Sequence, residues 1–134
     1  MEGDVSLGDP DLDSVVRNEV RAAMDRLTDA GVFVVWLTAP RLGVPDKAPL
    51  RNLEALSLAA NPDRQDRMNE IIREAAKGRR DVVVVDLAEA VRTWPGGEFD
   101  PTLRPDLTHF GKAGAIRIAR QFLGPQIVRV VPRP

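Results

Sequence analysis

The chain contains no cysteine, which excludes a disulfide framework and any zinc site built on thiolates. One histidine with no cysteine beside it is not the ligand set of a transition-metal centre. No Gly-rich phosphate loop stands between a strand and a helix, so neither a nucleotide nor any other cofactor is expected. A basic stripe is missing too: 19 Lys and Arg stand against 20 Asp and Glu for a net charge of -1. The cations are scattered singly, and neither nucleic acid nor anionic lipid is an expected partner. No apolar run approaches the roughly 20 residues that span a bilayer. The acidic start, MEGDVSLGDPDLD, has neither the basic head nor the apolar stretch of a signal peptide. The chain reads as soluble, making no membrane contact of its own, with its compartment open. Internal repeats and low-complexity segments are absent as well.

What is present is the length of one small domain, 134 residues. Arginine outnumbers lysine 16 to 3, a bias of GC-rich bacterial coding that carries no mechanism. Asp9-Pro10 is a helix start, an N-cap acceptor followed by a residue with fixed helical φ and no amide hydrogen. Leu12, Val15, Val16, Val20, Ala23, Met24 and Leu27 recur at spacings of three and four, so an amphipathic helix is expected to about Ala30, closed by Gly31. Val32 to Leu37, VFVVWL, reads as a strand covered on both faces. Between Arg41 and Ala60, Gly43, Pro45 and Pro49 argue for a loop while Leu50, Leu53, Leu56 and Ala60 argue for a short helix. Asn61-Pro62 opens a second amphipathic helix carrying Met68, Ile71, Ile72 and Ala75 and ending at Gly78. Val82 to Asp86 is the clearest strand, and one helical turn is expected after it.

A last helix is expected from about Lys112 to Leu123, stopped by Gly124-Pro125, with QIVRVV left as a short strand or a tail. The resulting division is a disordered tail over residues 1–8, a domain over 9–125 and a tail over 126–134. The order helix, strand, helix, strand, loop, helix is that of an α/β fold with a parallel sheet. Two parallel strands make a poor sheet by themselves, so the expectation is a partial open sheet with flanking helices.

The residues that invite chemistry lie in RPDLTHFGKAGA, Arg104 to Ala115. A carboxylate three residues before a histidine is able to fold back, accept a hydrogen bond from Nδ1 and leave Nε2 free to take a proton from a nucleophile. Asp106 and His109 are therefore candidates for the base half of a Ser-His-Asp site. The alternative is that Asp106 caps the last helix or makes a turn, with His109 half-exposed at the helix entry. Candidate nucleophiles are poor. Ser6, Ser14 and Ser57 all lack the strand and sharp turn that would expose them. Asp86 reads as the cap of the turn that follows it, Trp36 as core, Trp94 and Phe99 as a cover under a long loop, and Asn69 as a helix-to-loop hydrogen bond.

The block RPDLTHFGKAGAIRIARQFLGPQI resembles the closing block of the SGNH (GDSL-like) hydrolases, where an Asp-x-x-His, often RPDGxHF, precedes the final helix and a small-residue Gly-Ala segment. VVWLTAP, RMNEIIREAA and VVVVDLAEAV are similar to the strand, helix and strand before that block. The resemblance runs from about Asp9 to Pro125 and is nearest to the SGNH domains attached to bacterial membrane acyltransferases. It implies the C-terminal part of a flavodoxin-like fold, an esterase or O-acyltransferase activity on a small-molecule or carbohydrate ester, His109 as general base and Asp106 as its orienting acid. Such a parent would place the chain outside the cytoplasm; without it the cytoplasm is the default.

Two departures from the pattern carry consequences. Leu107 stands where the pattern has glycine, so a positive φ there implies strain. The Gly-Asp-Ser and Gly-x-Asn-Asp blocks, which hold the family's nucleophile and oxyanion donors, have no counterpart. The expected partners are accordingly a missing N-terminal half, or a second copy, meeting an open sheet edge. The different expectation is a non-catalytic α/β remnant that binds a partner through that edge.

Overall fold

A computed structural model describes residues 6–46 and 53–133. Along the chain these form α1 (Pro10–Asp29), β1 (Val34–Leu37), α2 (Leu53–Ala59), α3 (Pro62–Ala76), β2 (Val82–Val85), α4 (Leu87–Thr93), α5 (Lys112–Ile118), a π-helical turn (Ala119–Leu123) and α6 (Gly124–Val130). The class is mixed α/β, with a two-stranded parallel sheet among the described residues. The chain divides into two compact units, Met1–Thr38 with Asp63–Val85, and Ala39–Pro62 with Asp86–Pro134.

In the first unit the helix signals act as the chemistry requires. Oδ1 of Asp9 accepts from the amides of Asp11 and Leu12, capping α1 ahead of Pro10. At the other end Gly31, at φ 77°, donates to Thr28 O while Val32 donates to Leu27 O, the paired closure of a Schellman motif. That closure takes up Val32, so β1 begins at Val34, two residues later than the apolar run suggests. Val34 and Val82 pair in register and share the core with Val20 and Met24 of α1 and Ile71, Ile72, Ala75 and Ala76 of α3. Trp36, Val84, Met68 and Val16 pack against this core.

Burying these residues is what holds two short strands together, because an isolated strand pair is marginal. Ion pairs frame it: Arg67 Nε sits 2.6 Å from Asp13 Oδ2, and Arg17 Nη2 sits 2.7 Å from Glu74 Oε2. The Gly8 amide and the Arg67 guanidinium hold Asp13 below the usual carboxylate range. Of the tail expected at residues 1–8, residues 1–5 lie outside the described residues, while Leu7 packs on the core and Gly8 donates to Asp13 at 2.9 Å.

In the second unit Asp86 caps α4, its Oδ1 accepting from Glu89 N at 3.2 Å, and the single turn expected there extends to seven residues. Between Arg41 and Ala60 the helical reading prevails over Leu53–Ala59; Leu50 lies outside the described residues. The C-terminal end differs from expectation. Gly124-Pro125 does not stop the last helix, and the stretch expected as a strand or tail is helical to Val130. A proline ring clashes with the carbonyl four residues back, and the chain avoids this by widening to a π-turn in which Gly124 N–H donates to Ala119 O, five residues back. Pro125 then lies in the first turn of α6, where its missing amide hydrogen costs nothing.

Candidate functional site

The RPDLTHF turn lies wholly in the second unit and is built by local hydrogen bonds. Asp100 O accepts from the amides of Leu103 and Arg104, Arg104 O accepts from Leu107, and Leu103 O accepts from Gly111 at 2.9 Å. Asp106 supplies the rest. Its Oδ1 accepts from Thr108 N at 3.0 Å and His109 N at 2.6 Å, and its Oδ2 lies 2.7 Å from His109 Nδ1. Reversing the chain this tightly requires φ of 61° at Leu107, the only non-glycine among the described residues with positive φ.

The His109 ring, then the amides of His109 and Thr108, hold the Asp106 carboxyl well below the usual carboxylate range. An ionised carboxylate only accepts, so the proton between the two groups resides on Nδ1. With the proton on Nδ1, the acceptor lone pair of a neutral imidazole is at Nε2. The His109 side chain is 83 % exposed and Asp106 52 %, and the ring borders a shallow depression lined with Pro105, Phe110 and Gly111. Asp106 does not cap the last helix, whose N-cap is Gly111, but it does make the turn that the alternative reading named.

Arg104, which sequence reasoning passed over, is the most completely enclosed large side chain of the turn, 1 % exposed. Its Nε and Nη2 donate to Thr108 O at 3.0 and 2.8 Å, and its Nη1 donates to Arg41 O at 2.6 Å and Glu98 O at 2.9 Å. The guanidinium also lies over the rings of Phe110 and Phe99, 5.5 and 6.0 Å from their centroids. Burial lowers its pKa, opposed by the charges of Glu98 and Asp106, and a guanidinium so placed stays charged. In a chain with sixteen arginines, nothing in the residue order marks this one as buried.

The remaining candidates separate cleanly. Within the second unit no serine hydroxyl hydrogen-bonds to His109 among the described residues, Ser57 lying exposed on α2; Ser14 lies exposed on α1 of the first unit. Trp94 takes the Arg117 guanidinium over its ring at 4.7 Å. Phe99 does not serve as buried cover. It is 41 % exposed and lines an apolar cavity of about 480 Å³ with Leu42, Val44, Ala60 and Leu107. Asn69 is buried on α3, 4 % exposed. Chemically, the turn offers one oriented imidazole and neither serine nor cysteine. No family model, curated protein or solved structure matches the chain.

Proposed function

We propose that these residues are the C-terminal portion of an SGNH-like esterase or O-acyltransferase domain and contribute the base half of its Ser-His-Asp site. The observation that carries this reading is the 2.7 Å contact of Asp106 Oδ2 with His109 Nδ1, which leaves the acceptor lone pair at Nε2. Leu107 adds support: the residue at positive φ is the one that stands where the resembling pattern has glycine. The two parallel strands are compatible with part of a flavodoxin-like sheet.

In the reaction, Nε2 of His109 takes the proton of a serine hydroxyl as that oxygen attacks the carbonyl carbon of a small-molecule or carbohydrate ester. It then returns the proton to the departing alkoxide, leaving an acyl-serine. Water or an acceptor hydroxyl, deprotonated by the same nitrogen, attacks in turn and regenerates the serine. Asp106 keeps Nδ1 protonated throughout and stabilises the imidazolium between the two transfers. The serine and the oxyanion donors come from residues other than these, so the 134 residues alone turn over slowly; losing a triad serine costs on the order of a million-fold.

A second reading is a non-catalytic α/β module that binds a partner through a sheet edge. It draws on β1: Val34 and Thr38 direct their amides at β2, donating to Asp81 O and Val85 O. The alternation of a strand therefore turns the amides of Val35 and Leu37 outward, with no third strand on that edge among the described residues.

Hydrolysis of p-nitrophenyl acetate separates the two readings. Turnover is measured for the chain alone and mixed with an N-terminal half of an SGNH domain that carries the Gly-Asp-Ser and Gly-x-Asn-Asp blocks. Near-background rates alone, with turnover in the mixture that His109→Ala abolishes, support the hydrolase reading. A stable complex with no turnover favours the binding module.

A further inference from the structure

We propose that Arg104 is the positioning residue of the Asp106–His109 pair, holding the peptide between Thr108 and His109 so that the imidazole stays in its Nδ1–H form. This rests on the reading of that pair as a base half. The peptide in question is gripped at both ends. Its N–H, from His109, donates to Asp106 Oδ1 at 2.6 Å, and its carbonyl, from Thr108, receives two bonds from Arg104 at 3.0 and 2.8 Å. The carboxylate alone is half exposed and reaches only side chain and amides of its own turn.

Anchorage to the rest of the unit comes through the guanidinium. Nη1 is bonded to the carbonyls of Arg41 and Glu98. Phe110, one ring under the guanidinium, is the residue immediately after His109. A planar fork with five donors is what spans three carbonyls at once; a lysine ammonium, a point charge on a flexible stem, does not reproduce it. With the fork removed, Leu107 is free to leave its strained φ of 61°, and the turn that aims Asp106 at Nδ1 opens.

Because the chain has one histidine, long-range 1H–15N correlation spectra of its imidazole report this directly, with no ester present. The wild-type ring is expected as Nδ1–H, and Asp106→Asn as predominantly Nε2–H. Arg104→Gln, with the helical circular dichroism of the wild type, is expected to lose the Nδ1–H form as Asp106→Asn does, and Arg104→Lys to restore it only in part. A folded Arg104→Gln that keeps the wild-type tautomer overturns the proposal and leaves the pair intact. A wild-type ring in the Nε2–H form overturns the reading of the pair itself.

Should neither Arg104 variant fold, the wild type decides. A slowly exchanging Arg104 Nε–H with a scalar coupling to the Thr108 carbonyl carbon supports the proposal. Exchange as fast as at the exposed arginines, without coupling, overturns it.

Discussion

Leu107 holds a left-handed backbone, φ 61°, that a branched side chain resists by about 1–2 kcal/mol. The compensation is visible beside it: its own carbonyl accepts from Gly43 at 3.0 Å, and the Asp106 carboxylate collects the two amides that follow. Two truncations isolate the strain from the loss of side-chain contacts. Leu107→Gly and Leu107→Ala both remove the isobutyl group, but only glycine relieves the backbone, so the glycine variant is expected to be the more stable by about 1 kcal/mol. Urea midpoints of the two variants check this, and equal midpoints or the reverse order contradict it. At this scale the Asp106–His109 contact was legible because three residues of spacing suffice for a turn. The burial of Arg104 was not, since it depends on carbonyls 63 and 6 residues away in the chain.

At the scale of elements, the start of α5 is pressed onto the RPD turn. A Cβ at Gly114 would lie 2.3 Å from Leu103 O and 2.8 Å from its Cα, both backbone atoms unable to yield. Alanine at 114 gains about 1 kcal/mol of helix propensity and incurs about 3 kcal/mol of overpacking. Gly114→Ala is therefore expected to lower stability by about 2 kcal/mol, measured by thermal or urea unfolding, where an unchanged or raised midpoint would contradict the close approach. Because Leu103 also accepts from Gly111 and precedes Arg104, the same variant is expected to disturb the His109 imidazole signals. Helix starts were plain in the residue order, as Asp9-Pro10 and Asp86 are self-contained signals. Gly124-Pro125 was not, because its effect depends on whether the preceding turn widens.

For the whole molecule, the feature with the largest consequence is the outer edge of β1. Natural edges are guarded by charge, proline or bulges. Val82 and Val84, on β2, border a groove with Arg73, Glu74 and Lys77, whereas β1 reads VVWL. Association of the chain with itself is accordingly expected to rise with concentration in sedimentation velocity. Val35→Pro removes an outward amide at an edge position where proline is tolerated, so it is expected to shift the chain toward monomer with its circular dichroism preserved. Sedimentation of the variant indistinguishable from wild type would remove β1 as the associating edge.

Residue order by itself determined the two long helices α1 and α3, the two strands, where most of these begin, and that one carboxylate sits within reach of the one histidine. These follow from periodicity, capping and turn geometry, which act over a few residues. Tertiary structure alone decided that Arg104 is buried beneath the turn, that Gly114 must lack a side chain, and that Pro125 continues a helix. Each depends on a carbonyl or a cavity whose position is set only when distant segments, or successive turns of a helix, come together in space.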